Sequence, residues 1–313
     1  MSSTRRAVID VGTNSVKLLV ADVNGADVRP VWEGSRQTRL GEGFYESHRL
    51  QAEPIAYSAN AVADFARSAR ERGAAEIRVI ATSAARDAAN ADDLASAIES
   101  AAKLKLEIIS GEQEAAWAFQ GVATDPQLAR QPLLLLDVGG GSTEFILGQG
   151  EQRHFSASFP LGTVRLMETL PHSDPPLPSQ LAQCRARIRD FLAQEVRPEL
   201  EPALRRQSAA EPVTLVGTGG STTILARMEA RLEDFDRGRI EAVRLSSEAL
   251  RATVDRLWRL PLAERQKIIG LPPNRADVIL TGAAICEGVM ESFGFRELRV
   301  STRGLRFAAV MDR

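Results

Sequence analysis

Two short motifs, one in each half of the chain, combine an aspartate with a glycine-containing loop that could bind phosphate. Asp10 and Asp137 each stand at the end of an apolar run, just before the loop. A carboxylate at the end of a strand can hold a metal ion or its waters, and two facing acids imply a cation. Loops without side-chain bulk let backbone N–H groups and hydroxyls approach phosphate oxygens. The loop residues that we expect to bind phosphate are Gly12, Thr13, Asn14 and Ser15 in the first copy and Gly139, Gly140, Gly141, Ser142 and Thr143 in the second.

The order of the predicted elements around these loops excludes two common nucleotide-binding motifs. A strand follows the glycines in each copy, whereas the P-loop and the Rossmann fingerprint lead from a strand into a helix. No histidine accompanies either motif, so we expect the hydroxyls of Ser15, Ser142 and Thr143 to donate to phosphate and not to act as nucleophiles. Either loop alone is also consistent with an ordinary hairpin turn. Two copies, each preceded by aspartate, favour the phosphate site.

The elements that must position these loops occur twice in the same order. Each motif lies in a predicted β-hairpin, and both hairpins contain the pattern D-V-G-x-x-S. A later strand in each half leads into a Thr-containing turn, Thr82 in the first and GTGGST in the second. The predicted strands are 6–10, 15–23, 77–81, 133–137, 144–147 and 213–216, and the predicted helices are 54–72, 91–102 and 181–204. This order predicts an internal duplication of a mixed sheet flanked by helices.

Length and composition are typical of a globular protein of two domains. The 313 residues exceed the usual single domain, and 44% hydrophobic with 26% charged residues is close to the globular average. The polar segment 124–132 is the best boundary between the halves. A net charge of −2 argues against a nucleic-acid partner. With no apolar run long enough for a membrane span and no signal peptide, we expect a cytoplasmic protein without membrane contact, in which Cys184 and Cys286 are buried and reduced.

Eight ordered blocks give the chain a specific resemblance to a known family. They are DVGTNSVKLLV, ATSAARDAAN, ISGEQEA, LDVGGGSTE, FPLGTVRL, GTGGSTT, RADVILTGA and VSTRGLR, spread over residues 8–306. These blocks resemble the motifs of the exopolyphosphatase and guanosine pentaphosphate phosphatase family, which has an actin-like fold. The resemblance implies an α/β fold of two related ribonuclease H-like lobes with a cleft between them. We expect the first lobe at 1–124 and the second at 125–302, with a C-terminal helix at about 303–313 packing back on the first.

The resemblance also implies a role for individual residues. Glu114 matches the catalytic glutamate, a base for the attacking water, although the family's adjacent glutamates are here separated as Glu112-Gln113-Glu114 and Glu112 remains a second candidate. Asp137 and Glu144 match positions that bind Mg²⁺, with Asp10 as the opposing acid. The further residues that we expect to contact phosphate are Arg86, Lys17, Thr218 and Gly219. Without the resemblance, Glu112 and Glu114 would be read as solvated acids at a helix N-terminus.

Three functions are compatible with these residues. The first is Mg²⁺-dependent exopolyphosphatase activity, which removes orthophosphate from inorganic polyphosphate. The second is hydrolysis of the 5′-γ-phosphate of guanosine pentaphosphate, which also needs a guanosine pocket that the sequence does not identify. The third is a silent sensor of polyphosphate or nucleotide, which the complete set of catalytic-type residues disfavours. For protein partners the sequence leaves a homodimer open and does not determine the oligomeric state.

Overall fold

The computed structural model describes residues 3–312. The strands are β1 (Thr4–Val11), β2 (Ser15–Asn24), β3 (Asp27–Gln37), β4 (Glu76–Ala81), β5 (Leu106–Ile108), β6 (Leu133–Val138), β7 (Thr143–Gln149), β8 (Gln152–Phe159), β9 (Thr214–Thr218), β10 (Arg244–Ser246) and β11 (Glu297–Val300). The helices are α1 (Phe44–Ser47), α2 (Ala52–Glu71), α3 (Ser83–Asp87), α4 (Ala91–Ala102), α5 (Gly111–Ala123), α6 (Thr163–Thr169), α7 (Pro178–Phe191), α8 (Arg197–Ala210), α9 (Gly219–Glu229), α10 (Arg237–Ala242), α11 (Ser247–Leu257), α12 (Leu262–Arg265), α13 (Ile279–Phe293) and α14 (Leu305–Ala309).

The chain divides into two compact units. The first unit extends to Pro126 and takes up the chain again from Arg303, and the second unit comprises Gln127–Thr302. Helix α14 follows the second unit in the sequence but belongs to the first unit, where it packs against α5 and β1.

The first unit is built on a five-stranded mixed sheet in the order β3-β2-β1-β4-β5. β1 pairs antiparallel with β2 and parallel with β4. Ile9 and Val11 of β1 lie in the core that includes residues of α2 and α4, whereas Val8 packs on the opposite face with residues of α5 and α14. Because both faces are covered, β1 is a continuous apolar run and not an alternating one. Asp10 interrupts that run on the α5 side, because successive side chains point to opposite faces.

The second unit repeats this arrangement and extends it. Its sheet has the order β10-β11-β9-β6-β7-β8. The segment β8-β7-β6-β9-β11 corresponds strand by strand to β3-β2-β1-β4-β5, with the same antiparallel hairpin and the same parallel neighbour to its first strand. β10 is an additional antiparallel edge strand on β11. The predicted fold class, two related mixed sheets flanked by helices, is confirmed.

Helix 181–204 of the sequence prediction is part of a longer helical segment. The structure has α7, then one π-helical segment at Leu192–Val196, then α8. Cys184 on α7 and Cys286 on α13 are buried and free, as predicted, and burial raises the pKa of each thiol to about 12. Both thiols therefore stay protonated and act as small apolar groups in the core.

No helix within residues 3–312 combines the length and the apolar character that crossing a membrane requires.

Candidate active site

The first glycine loop, residues 12–15, is a tight turn whose carbonyl oxygens are bonded by the chain that follows β3. The Gly12 N–H donates to the Ser15 carbonyl at 3.0 Å, which leaves Thr13 and Asn14 as the two loop residues. The Asn14 carbonyl accepts from the N–H groups of residues 38 and 39, both at 3.1 Å, and the Thr13 carbonyl accepts from the Gly41 N–H at 2.8 Å. The carbonyl oxygens of the loop are thus held within the unit.

The second glycine loop, residues 139–142, has the same turn, and its carbonyl oxygens are bonded in an equivalent way. The Gly139 N–H donates to the Ser142 carbonyl at 2.9 Å. The start of α6 supplies the clamp, because the Gly140 carbonyl accepts from two N–H groups of that helix at 2.9 and 3.1 Å. Arg165 donates through Nε to the Gly141 carbonyl at 2.9 Å. Gly162 must be glycine, since a Cβ there would lie 2.3 Å from the Gly140 carbonyl oxygen.

The clamps leave the two loops with N–H groups in excess. Within residues 3–312, the N–H groups of Thr13, Asn14, Gly140 and Gly141 donate to no backbone carbonyl. Consecutive backbone donors without backbone acceptors form a concavity that favours an anion. The geometry of each loop is therefore suited to phosphate oxygens, with the backbone and not the hydroxyls as the main source of donors.

Two of the predicted hydroxyl donors have partners inside the protein. Thr143 has no exposed surface, and its hydroxyl donates to the Leu161 carbonyl. The hydroxyl that the sequence analysis expected to donate to phosphate therefore donates to a backbone carbonyl of the second unit. The Ser142 hydroxyl donates to Glu144 Oε1 at 2.7 Å, so it positions a carboxylate. Ser15 and Thr13 are buried, and Thr13 Oγ1 accepts from the Ala84 N–H at 3.3 Å.

Asp10 lies opposite Lys17 in the β1–β2 register. It is only 4% exposed, so its carboxylate lies inside the first unit. Burial raises the pKa of Asp10, while the positive charges of Lys17 and Arg306 act in the opposite direction and lower it. One oxygen, Oδ1, has no hydrogen-bond partner among the described residues. Lys17 and Arg306 are therefore the charge partners of the buried Asp10 carboxylate within the first unit.

Asp137 lies opposite Glu144 in the β6–β7 register, so two acids meet where the first unit has an acid and a lysine. Glu144 is 1% exposed, and its Oε1 accepts from the hydroxyls of Ser142 and Ser158, both at 2.7 Å. Hydrogen bonds to the charged form of a carboxylate stabilise that form. Asp137 is partly exposed and retains access to a ligand.

The start of α9 closes around Asp137. Asp137 pairs with Thr218 in the β6–β9 register, and Gly219 follows with a φ of +88°. A Cβ at Gly219 would lie 2.5 Å from Asp137 Oδ1. Thr218 is 1% exposed, and its carbonyl accepts from the Thr222 hydroxyl at 2.8 Å. Gly219 therefore allows the backbone to approach the carboxylate where any other residue would displace it.

The carboxylates of the second unit fit a hard cation that keeps most of its waters. Within residues 3–312 no group of three or more His, Cys, Asp and Glu side chains is arranged as a metal site. Mg²⁺ does not need one, since it is commonly bound through one or two carboxylates, with water and substrate phosphate completing its octahedron. Asp137 and Glu144, paired across β6 and β7, are two carboxylates of the kind that such a cation binds.

Glu114 forms an ion pair with the predicted phosphate-binding arginine. Ser110 caps α5 by accepting from the Gln113 N–H at 3.1 Å, which places Glu114 in the first turn. Arg86 donates through Nη1 to Glu114 Oε2 at 3.0 Å and to the Ile109 carbonyl at 3.2 Å. Glu114 is buried and Glu112 is exposed, so the two glutamates that the sequence left as candidates lie in different environments.

Sequence reasoning missed one residue that shapes the second hairpin. Ser158 was overlooked, although its place on the third strand of the second hairpin, opposite Glu144, could have been found by extending the register. The arginines of the later motifs bind backbone within their units: Arg303 donates to the Thr124 carbonyl and Arg306 to the Leu18 carbonyl. Arg306 also pairs with Glu33 at 3.3 Å. These two arginines hold α14 and the residues that lead into it in place.

Duplicated sheets with paired glycine hairpins define the actin-like class of two-lobed α/β proteins. Within it, the Ppx/GppA phosphatase family matches residues 19–312, and the chain belongs to that family. The resemblance seen in the motifs is thereby confirmed.

Relatives of known name and solved structures are similar over nearly the whole chain. Exopolyphosphatase 2 of Mycobacterium tuberculosis is 34% identical, with 96% of each chain covered. Exopolyphosphatase 1 of Mycobacterium bovis is 29% identical, with 98% of this chain and 87% of the relative covered. The structure of the Aquifex aeolicus PPX-GPPA enzyme has a TM-score of 0.78 at 29% identity, covering 99% of this chain and all of the other. An exopolyphosphatase structure from Cytophaga hutchinsonii, at 24% identity and a TM-score of 0.84, supports the fold alone.

Proposed function

We propose that this chain is an exopolyphosphatase that hydrolyses the terminal phosphoanhydride bond of inorganic polyphosphate and releases orthophosphate. The observation that carries the proposal is the Asp137–Glu144 pair beside a glycine loop with unused N–H groups. This pair can hold a cation, and the loop can hold the phosphate that the cation binds. The relatives named exopolyphosphatase, at 29% and 34% identity over nearly the whole chain, support polyphosphate as the substrate.

Phosphatases of this family generally require a divalent metal, and we propose Mg²⁺ at Asp137 and Glu144. Bound Mg²⁺ would supply neutralisation of the charge on the transferring phosphoryl group. Ser142 and Ser158 donate hydrogen bonds to Glu144 Oε1 and hold its carboxylate in place for that purpose. Asp10, the third acid of the predicted metal set, is better explained as the buried counter-charge of Lys17 and Arg306. Lys17 is then a candidate phosphate contact in the first unit.

The proposed reaction needs one proton acceptor. Glu114 accepts a proton from the attacking water as its oxygen bonds to the terminal phosphorus. The bond from that phosphorus to the bridging oxygen breaks, and the shortened chain leaves with the bonding electrons. The loop N–H groups and Arg86 bind the phosphate oxygens, on which negative charge is spread in such transition states. The chain's contribution is thus positioning, charge and one base.

Guanosine pentaphosphate would place the same terminal phosphoryl group before the same residues, so it remains the alternative substrate. The relatives' names favour polyphosphate. A sensor that binds polyphosphate or nucleotide without turnover has no need of a general base, whereas Glu114 is buried and paired with Arg86.

The test is the pair of variants Glu114→Gln and Glu112→Gln, because both glutamates lie in the first turn of α5. Loss of a general base lowers turnover by roughly 10²–10⁴-fold. We expect that loss in phosphate release from polyphosphate for Glu114→Gln and near-normal release for Glu112→Gln, since Glu112 is exposed. Full activity of Glu114→Gln would show that Glu114 is not the general base. Absence of phosphate release by the unmodified protein with Mg²⁺ would reject the function itself.

A further inference from the structure

The side chain of Thr13 is bonded to an element outside its own loop. Its Oγ1 accepts from the N–H of Ala84, in the first turn of α3, at 3.3 Å. Thr13 is 4% exposed, and a Cβ at Gly41 would lie 2.4 Å from its Cγ2. The methyl group therefore packs directly against Gly41, while the hydroxyl is directed to α3. None of the roles assigned above uses this hydroxyl.

The bond from Ala84 to Thr13 takes the place of a cap that α3 lacks. A helix begins with N–H groups that have no acceptor within the helix, and the side chain of the N-cap residue usually supplies one. The N-cap residue of α3 is Thr82, and its side chain makes no capping hydrogen bond. Ala84 is 1% exposed, so its N–H needs an acceptor within the protein. Thr13 provides that acceptor from loop 12–15.

The helix that Thr13 caps carries the arginine paired with the proposed base. With five residues, α3 is too short to be stable without support from its surroundings. Arg86 follows two residues after Ala84, and its N–H donates to the Thr82 carbonyl at 3.0 Å. Its Nη1 donates to Glu114 Oε2, also at 3.0 Å. A shift of α3 would therefore move the Arg86 guanidinium away from Glu114.

The second unit does not have this hydroxyl at the matching place. In the D-V-G-x-x-S repeat the residue that corresponds to Thr13 is Gly140, which has no side chain. The helix that follows the equivalent strand β9 is α9, and it is 11 residues long. A glycine loop of this fold can thus form without the hydroxyl. Thr13 occurs in the unit that also holds Arg86 and Glu114, which indicates a role connected with that pair.

We propose that Thr13 is a positioning residue for the reaction: its hydroxyl caps α3 and thereby holds Arg86 where it pairs with Glu114 and meets the phosphate oxygens. The inference rests on the proposed function for the roles of Arg86 and Glu114. It divides Thr13 into two parts, because the backbone N–H serves the loop and the hydroxyl serves the helix. The effect of the hydroxyl on turnover then passes through Arg86.

Two measurements on the full chain test this role. Thr13→Val keeps the shape and removes the acceptor, and Thr13→Ser keeps the hydroxyl. Ser58→Ala is the matched control, because Ser58 is fully buried on α2 and its hydroxyl has no hydrogen-bond partner in residues 3–312. Hydrogen–deuterium exchange of the amides of residues 82–87 reports the cap without turnover. Phosphate release from tripolyphosphate with Mg²⁺ is measured for each variant, alone and combined with Arg86→Ala.

We expect the amides of residues 82–87 to exchange about two- to thirtyfold faster in Thr13→Val, as for the loss of a helix cap. Thr13→Val should lower kcat/KM by about ten- to hundredfold, because the arginine is displaced. In the Arg86→Ala background the same change should cost less than about twofold, since two residues that act through one contact are not additive. Thr13→Ser and Ser58→Ala should resemble the unmodified protein in both measurements.

Unchanged exchange in Thr13→Val would show that the hydroxyl does not support α3. A full further loss of kcat/KM in the Arg86→Ala background would show that the hydroxyl acts on the substrate directly. Normal phosphate release by Thr13→Val, or a Thr13→Ser variant as impaired as Thr13→Val, would remove the positioning role; each of these results overturns the inference. If the unmodified protein releases no phosphate, the proposed function is rejected together with the catalytic role of Thr13, while the exchange rates still decide whether Thr13 caps α3.

Discussion

In the first unit the strand opposite Asp10 presents Lys17, and in the second unit the strand opposite Asp137 presents Glu144. The backbones of the two hairpins agree in their turn, in their register and in the external clamp on their carbonyls. Their charges do not agree. One hairpin pairs an acid with a base, and the other pairs two acids.

This difference indicates a division of labour within a duplicated fold. An acid beside a lysine is partly compensated by the protein itself, although burial still raises the pKa of Asp10. Two facing acids repel each other, so the pair needs a bound cation or a proton. The hydroxyls of Ser142 and Ser158 both donate to Glu144 Oε1, an arrangement that suits a carboxylate bound to a cation. On the proposed function, both loops would bind phosphate, and the exchange of Lys17 for Glu144 at the matching position would decide which hairpin also holds a metal.

Removing one of the two facing acids should have the largest effect. A metal ion contributes several kcal/mol to stabilising the charge in a phosphoryl transfer. We therefore expect Glu144→Gln to lower phosphate release by roughly 100–1,000-fold, and chelation of metal to abolish it in the unmodified protein. The matched change Lys17→Gln should raise KM for polyphosphate about tenfold, as for one lost charged hydrogen bond, and leave the Mg²⁺ dependence of kcat unchanged. If Lys17→Gln changed the Mg²⁺ dependence of kcat and Glu144→Gln did not, the metal would belong to the first hairpin and not to the second.

The support of Glu144 by its hydroxyl donors should be visible next. Ser158→Ala deletes one of the two donors to Oε1, and loss of such a supporting bond typically costs about 10–100-fold in metal affinity. Ser156→Ala is the control, because Ser156 lies two residues earlier on β8 and its hydroxyl has no hydrogen-bond partner in residues 3–312. The measurement is the Mg²⁺ concentration for half-maximal phosphate release. Equal constants for the two variants would show that the bond to Glu144 is unimportant.

A smaller effect should come from filling the space beside Asp137. Gly219→Ala brings a Cβ to 2.5 Å from Asp137 Oδ1 and strains a backbone with φ of +88°. We expect a loss of about 1–3 kcal/mol in the free energy of unfolding and about a tenfold loss of kcat. Gly220→Ala should do neither, because its Cβ would meet nothing within 4 Å. Chemical denaturation and phosphate release would check both, and a normal Gly219→Ala enzyme would show that Asp137 has room to move.

The burial of Asp10 in the first hairpin should affect the pH dependence of the free energy of unfolding. Burial raises the pKa of Asp10 above its usual 3.8, so its ionisation opposes folding. That penalty is absent at pH well below 3.8 and grows as pH rises through the raised folded-state pKa. Asp10→Asn should therefore gain stability relative to the unmodified protein between acid and neutral pH.

The ionisation of Asp22, on the same hairpin, should change the stability in the opposite direction. Its hydrogen bond from Arg5 lowers the pKa of Asp22, which supplies stability above pH 3.8 that is lost as pH falls. Asp22→Asn should lose a little stability at neutral pH and match the unmodified protein in acid. Thermal denaturation at several pH values measures both variants, and a change of stability in the same direction for both would contradict the assignment of Asp10 as an acid whose burial outweighs its charge partners.

Much of the fold could be predicted from the chain because its signals are local. The apolar run at 6–10 and the D-V-G-x-x-S repeat indicate hairpins, and the repeat identifies the duplication. The loop residues were found for the same reason. Side-chain partners across strands and helices could not be found, because they depend on tertiary packing. Neither the ion pair of Arg86 with Glu114 nor the burial of Thr143 has a signature in the spacing of residues.

The most direct test of the division between the hairpins is binding of Mn²⁺, a paramagnetic substitute for Mg²⁺, to the unmodified chain and two variants. Electron paramagnetic resonance would measure free Mn²⁺ during a titration of each protein. The account predicts that Asp137→Asn weakens Mn²⁺ binding by at least tenfold and that Asp10→Asn leaves it within about twofold of the unmodified protein. Equal weakening by both variants, or weakening by Asp10→Asn alone, would contradict it.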